Sequence, residues 1–262
     1  MDAPINKICS LLPSTTEIVF ALGLGNKLVA VTHECDYPEA ATKLPAITSA
    51  AIDTIGMSHR DLHNHVINAA HEGSSIYTLD QALLEKLAPD LILTQELCDV
   101  CAVSYDTVQD AVREIGGDYT IMSLEPTTLG AILETIEHLG KATDTIDKAT
   151  AVIGELQRRI DTVTRQSQKA DKKPRVFTLE WMDPPFAGGH WVPEMVQLAG
   201  GLTSLVEVGE PSRMVSWEEI TAFDPEIIMV MPCGYHLDSL ETEFRMTAFP
   251  AEWGDLTAVR NG

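Results

Sequence analysis

Basic residues are scarce in this chain. Lys and Arg together number 18 against 39 Asp and Glu, a formal charge of -21. That excess of carboxylates repels phosphate backbones and anionic lipid heads, so nucleic acid and membrane surfaces are not expected as partners. No apolar run approaches the roughly 18–20 residues that a spanning helix needs, so membrane insertion is excluded too. The start, Met1-Asp2-Ala3-Pro4-Ile5-Asn6, has neither a basic n-region nor an apolar h-region, and Ile8 to Leu12 reads as a strand. As written, the chain is expected in the cytoplasm, or in the periplasm if a leader was removed. Five cysteines are too few and too odd for a disulfide framework and point to reduced thiols. There is no G-x-S-x-G, no phosphate-binding P-loop and no dinucleotide fingerprint. Nothing here nominates a nucleophile with its base; missing motifs alone do not exclude an enzyme, and a non-catalytic binder is the leading expectation. A thiol catalyst at Cys98 or Cys101 ranks last among the readings.

What is present is an alternation of short β-rich runs and helical patterns. Lys7 to Leu12 predicts a strand. Ser14-Thr15-Thr16-Glu17 reads as a capping box opening a helix that stops at Gly23 and Gly25. Strands are predicted at Leu28 to Thr32, Leu91 to Thr94 and Tyr119 to Met122, with helices at Asp80 to Leu87 and Val108 to Ile115. Strand, helix, strand at this spacing implies parallel pairing in an α/β lobe. In residues 143 to 170, Ile146, Ile153 and Ile160 recur every seven positions, with Ala149, Leu156 and Val163 between them. That periodicity predicts one helix of roughly 40 Å, either a surface helix or a rigid connector, with the connector favoured.

After Pro174 the same grammar returns. Arg175 to Leu179 predicts a strand, Pro193 to Ala199 a helix ending at Gly200-Gly201, and Leu205-Val206 a resumed strand. Ala88-Pro89-Asp90-Leu91 is echoed by Asp224-Pro225-Glu226-Ile227. The expected organisation is an N-terminal lobe over 1–142, a backbone helix over 143–171 and a C-terminal lobe over 172–262.

Ligands of parallel α/β lobes collect beyond the carboxyl ends of the strands. Four such loops, at residues 33–38, 95–101, 180–191 and 232–236, hold four of five cysteines, three of eight histidines and two of four tryptophans. Thiolate and imidazole suit zinc, iron or cobalt, so His33, Cys35, Cys98, Cys101 and Cys233 form a tentative metal set. Cys98-x-x-Cys101 alone leaves a metal site, a redox pair and plain packing all open. Trp181, Phe186 and Trp191 read either as packing between lobes or as a flat apolar ligand wall. His59, His63 and His65 lie in a polar segment and read as a solvated helix face.

At Ser10-Leu11-Leu12-Pro13-Ser14-Thr15-Thr16-Glu17, and again at Asp183-Pro184-Pro185-Phe186 and Leu198-Ala199-Gly200-Gly201, the chain resembles the substrate-binding proteins of ABC importers for vitamin B12 and iron chelates. The resemblance covers nearly the whole length. It implies two Rossmann-like α/β lobes with parallel sheets, joined by a long rigid helix, with the ligand in a cleft between them. The implied ligand is a cobalamin-like corrinoid or another metal chelate, and the implied partner an ABC permease. The positions matching the family's ligand-flanking aromatics are Tyr37, Trp181, Phe186 and Trp191, and Ser14, Glu180 and His190 complete the expected binding set. Permease docking falls to Glu218, seven residues before Pro225; the matching first-lobe position is Ala82. The resemblance also implies a further strand and helix after Val259 to Gly262, elements the second lobe is expected to lack. The alternative is a cytoplasmic metal-handling protein whose Cys and His side chains hold zinc, iron or a cluster.

Overall fold

A computed structural model describes residues 4–51, 57–71, 76–95, 105–116 and 119–262. The chain divides into two compact units. Unit 1 comprises Met1–Ile55, His65–Glu125 and Leu133–Gly154; unit 2 comprises Gly56–Asn64, Pro126–Ile132 and Glu155–Gly262. No helix among the described residues is long and apolar enough to cross a membrane.

The chain opens with β1 (Ile8–Ser10), α1 (Pro13–Ala21) and β2 (Leu28–Val31). Pro13 sits at the first helical position, where its missing N–H is no loss and its fixed φ starts the turn. The cap residue is therefore Leu12, with no side-chain cap, and Ser14 is already inside the helix. The capping box expected at Ser14 and Glu17 does not form. The helix ends as the sequence requires. Leu24 N–H reaches back to Val19 O and Gly23 N–H to Phe20 O, with Gly23 at φ +77, a Schellman stop.

Next come β3 (Thr48–Ala50), α2 (His59–His71), β4 (Tyr77–Leu79), α3 (Gln81–Leu87), β5 (Leu91–Thr94), α4 (Tyr105–Ile115) and β6 (Thr120–Ser123). The main sheet of unit 1 has the order β2-β1-β5-β6 and is parallel throughout; β3 and β4 form a separate antiparallel pair. In β5 all four residues are buried, so it reads as an unbroken apolar run. Leu91, Ile92 and Leu93 are wholly inaccessible, each contributing about 2 kcal/mol of apolar burial. Cys9, Leu11, Ala30, Ile47, Leu84 and Val108 close the core around Ile92.

Helices α5 (Leu129–Ala142) and α6 (Ile146–Ser167) follow. At 22 residues, α6 is roughly 33 Å long. Ala149 is buried beneath Gly140, where a side chain would collide with the Ala149 methyl. The rest of the predicted stripe is shallower: Ile146 and Val163 stay 37% and 46% exposed.

Unit 2 holds β7 (Val176–Met182), β8 (Pro185–Ala187), α7 (Val192–Leu198), β9 (Arg213–Met214), α8 (Trp217–Phe223), β10 (Ile227–Val230), α9 (Leu237–Met246) and α10 (Thr257–Asn261). Its sheet has the order β10-β7-β8-β9. Only β10 and β7 run parallel; β8 is antiparallel to β7, because the short Asp183-Pro184 turn can join only antiparallel neighbours, and β9 is antiparallel to β8. The expectation of a second parallel sheet is corrected accordingly. Leu205 and Val206 form no strand either, since the backbone of Val176 and Pro174 pairs with Leu202 instead. Phe177, Leu179, Met182, Val215, Ile220 and Leu256 fill the core. Beside it Phe249 stacks on Trp253 at 4.1 Å, and Trp217 meets both edge-on. Among the described residues β10 is paired on one side only, and Ile227 and Met229 remain 44% and 50% exposed.

The internal repeat holds to the level of single hydrogen bonds. In unit 2, Gly201 N–H reaches Val196 O and Gly200, at φ +92, reaches Gln197 O, the same stop that ends α1. Helices α3 and α8 are seven residues each, with Asp80 and Ser216 as side-chain caps. Both end on a left-handed residue, Ala88 at φ 44 and Asp224 at φ 45.

Candidate functional site

Five of the expected ligand residues lie in unit 2, along the β7–β8 hairpin and the start of α7. Trp181 and Phe186 are cross-strand partners. The Trp181 indole is fixed by Nε1–H donating to His59 O at 3.2 Å. Glu180 accepts the Ser212 hydroxyl at 2.8 and 2.9 Å on its two carboxylate oxygens, while the same Ser212 oxygen accepts Gly189 N–H at 3.0 Å. His190 is held in the left-handed region at φ 53, clamped by its N–H to Glu210 O and by Gly209 N–H to its own carbonyl. The next residue, Trp191, caps α7, and its ring lies 5.8 Å from His190. Such strain in a non-glycine residue persists only where neighbours over-determine it, as the 209–212 segment does here.

The histidines of α2 overturn their solvated reading. His59 is 2% exposed, its ring 4.1 Å from Trp181 and stacked at 5.0 Å on Tyr235. Among the described residues neither ring nitrogen has a hydrogen-bond partner, and Glu243 Oε1 stands 3.9 Å from Nε2. Burial pushes the His59 pKa down to about 4, with Asp183 pulling weakly the other way. His63, half-buried, meets Phe186 edge-on at 5.5 Å, and burial and then the Arg60 charge lower its pKa. Only His65 faces solvent. Arg60 grips Asp183 through two nitrogens. The sequence did carry a signal: positions 59, 62 and 66 share a helical stripe that Leu62 and Val66 mark as inward. Burial likewise raises the Tyr235 hydroxyl, with Glu243 adding to it.

Unit 1 holds Ser14, Tyr37, His33 and Cys35. Ser14 is exposed on α1 and Tyr37 is 64% exposed. Cys35 is buried, its sulfur 3.2 Å from Thr16 Oγ1, and Thr16 donates to Ser10 Oγ at 2.8 Å. Burial pushes the Cys9 thiol up to about 12 and is also the largest cause raising Cys35. His33 Nδ1 lies 2.7 Å from Thr48 Oγ1, and its Nε2 is 3.3 Å from Glu34 Oε1. Cys233 is exposed in the turn before α9, in unit 2. Cys98 and Cys101 lie outside the described residues. Among the described residues no group of three His, Cys, Asp or Glu side chains could hold a metal ion.

Glu218 is the second residue of α8, exposed, its carboxyl lowered by its own backbone N–H and then by Ser216. Ala82 is the second residue of α3.

A model of the periplasmic binding protein family matches residues 8–262. A vitamin B12-binding protein of Vibrio cholerae is 26% identical over 228 residues, 86% of this chain and 70% of its own. The crystal structure of the periplasmic vitamin B12-binding protein of Vibrio cholerae has a TM-score of 0.63 at 24% identity, covering 98% of this chain and 86% of that one. The apo periplasmic heme-binding protein of Roseiflexus sp. RS-1 has a TM-score of 0.69 at 22% identity, covering 98% and 87%. With both units inside the family match, from β1 through α10, the chain belongs to the periplasmic binding protein family.

Proposed function

We propose that this chain is the non-catalytic binding component of an ABC importer and that its ligand is a corrinoid or a related planar metal chelate. The carrying observation is the aromatic wall of unit 2, where Trp181 and Phe186 are set side by side by strand register and His190 and Trp191 follow directly. Large flat rings are bound by such walls, which supply dispersion and exclude water without demanding a matched charge. Relatives named for vitamin B12 and heme support a ligand of that shape. Work on the outer side of the cytoplasmic membrane goes with the role. Glu218 is the docking residue toward the permease in this reading, with Ala82 leaving unit 1 to dock by other groups. The alternative of a cytoplasmic zinc, iron or cluster carrier gains no support from His33, Cys35 and Cys233, which belong to no group of three ligating side chains among the described residues.

Titration of cyanocobalamin, dicyanocobinamide and hemin, followed by calorimetry and tryptophan fluorescence, tests the proposal. At least one is expected to bind in the micromolar range or tighter, about -8 kcal/mol, with Trp181→Ala weakening it roughly tenfold. Failure of all three at ~100 μM would sink it.

A further inference from the structure

We propose that the first turn of α2 is an acid-released clasp, closed on the β7–β8 hairpin while the His59 ring is neutral and freed when that ring takes up a proton. The turn belongs to unit 2, as does the hairpin, and the clasp does not depend on what the aromatic wall binds.

Three contacts fasten the turn, and none is a hydrogen bond to the His59 ring. Trp181 Nε1–H donates to the His59 carbonyl at 3.2 Å, His63 meets Phe186 edge-on at 5.5 Å, and Arg60 Nε donates to Asp183 Oδ2 at 3.0 Å. Arg60 is 65% exposed, so solvent screens the last of these. The imidazole itself is buried against Trp181 and Tyr235, and among the described residues neither of its nitrogens has a hydrogen-bond partner. Leucine would fill that place without stripping water from two nitrogens, so imidazole is a costly filler for a turn that only packs. What imidazole adds is a proton-binding site within the ordinary pH range.

The groups facing the ring decide the sign. Asp183 in the β7–β8 turn and Glu243 on α9, 3.9 Å away, favour the charged ring; Arg60, next in sequence, opposes it, and the Tyr235 hydroxyl stays neutral. Burial outweighs the carboxylates and holds the closed ring at a pKa of about 4, against about 6.5 for a ring in water. The open turn therefore binds the proton more tightly than the closed one, and falling pH favours opening. His63 is pushed the same way, by burial and then by Arg60, with Asp183 opposing. Between pH 7.5 and 5.5 the His59 difference alone multiplies the open fraction about tenfold. Opening lifts His59 off Trp181 and His63 off Phe186.

The Trp181 indole proton reports the clasp directly, since its acceptor is the His59 carbonyl. Hydrogen exchange followed by nuclear magnetic resonance, corrected for the intrinsic rate at each pH, is expected to show its protection falling about tenfold from pH 7.5 to 5.5, while the amide protons of β7 keep theirs. In His59→Phe, which keeps an aromatic ring and loses the proton site, protection should be the same at both pH values. His63→Gln should leave most of the wild-type fall in place. Equal protection at the two pH values in wild type, a fall that survives in His59→Phe, or β7 amides loosening in step with the indole overturns the proposal. Should His59→Phe fail to fold, the wild-type ring decides. Carbon-bound protons of His59 that titrate well below pH 6.5 support the clasp, and titration near 6.5 overturns it.

Discussion

Asp90 and Glu226 hold the same post in the two units. Asp90 Oδ2 accepts the N–H groups of Asn6 and Lys7 at 2.7 and 2.8 Å, just ahead of β1; Glu226 Oε2 accepts Arg175 N–H at 3.0 Å, just ahead of β7. In return the N–H groups of Asp90 and Leu91 donate to Lys7 O, and those of Glu226 and Ile227 to Arg175 O. Each carboxylate thus sets the register of the parallel strand pair beside it, β1 with β5 and β7 with β10.

The Asp90 carboxyl is held below the usual carboxylate range, chiefly by the Asn6 and Lys7 N–H groups. A lowered carboxyl contributes stability above its unfolded pKa of about 3.9 and loses that contribution as pH falls through the folded value. Asp90→Asn is therefore expected to cost on the order of 1 kcal/mol at pH 7, read as a lower urea midpoint. Near pH 2 the two midpoints should converge. A gap that persists unchanged in acid would show that the charge is not what matters.

His59 carries the opposite kind of linkage. Its folded pKa, about 4, lies below the unfolded value of about 6.5. Unfolded chains take up the proton that the folded chain refuses, so wild type loses stability as pH falls from 6.5 to 4, by roughly 3 kcal/mol at most. His59→Leu removes that term. Its unfolding midpoint should fall less steeply over the same interval, and parallel curves would refute the dry environment of the ring.

Ala88 and Asp224 share one backbone conformation but not one chemistry. Ala88 at φ 44 bears the Cβ penalty with no side-chain bond in return, so Ala88→Gly should stabilise unit 1 by about 1 kcal/mol. Asp224 accepts Thr257 N–H at 2.9 Å and the Thr257 hydroxyl at 2.8 Å, fixing the start of α10. Asp224→Gly should destabilise despite the relieved strain. Thermal unfolding of the two variants moving in the same direction would count against this account.

Gly189 lies against the backbone of Pro211 and Ser212, with no room for a side chain. Gly189→Ala should push the 209–212 segment away, release His190 from its left-handed conformation and weaken probe binding roughly tenfold or more. Trp181→Ala, by contrast, should weaken binding while leaving the near-ultraviolet signal of Trp217 and Trp253 intact. Unaltered probe affinity in Gly189→Ala would remove the brace from the account.

Legibility followed how local each cause was. β5 was readable to the residue because Leu91 to Thr94 is an apolar run closed by Pro89 and Asp90 on one side. The grouping of Trp181, Phe186, His190 and Trp191 was readable because scarce ring-bearing residues crowd one hairpin and its exit; their role toward a ligand is a proposal. The false capping box shows two local rules in conflict, and Pro13 at the first helical position prevailed over Ser14. Leu205 and Val206 were misread because apolar character alone does not supply a ladder, and Leu202 had already taken the partner. His59 had a local signal in the stripe it shares with Leu62 and Val66, but polar neighbours such as Arg60, Asp61 and Asn64 masked it, and the rings that cover it, Trp181 and Tyr235, lie more than 120 positions away.

The bare flank of β10 has a practical corollary for anyone concentrating this protein. Exposed Ile227 and Met229 on a strand that, among the described residues, is paired on one side only invite another molecule to add a rung. Mutual repulsion from 21 surplus negative charges is the counterweight. Dissolved ions shorten that repulsion to about 3 Å at 1 M, a reach smaller than the spacing between neighbouring strands. Light scattering is therefore expected to stay flat in dilute buffer and to rise in brine.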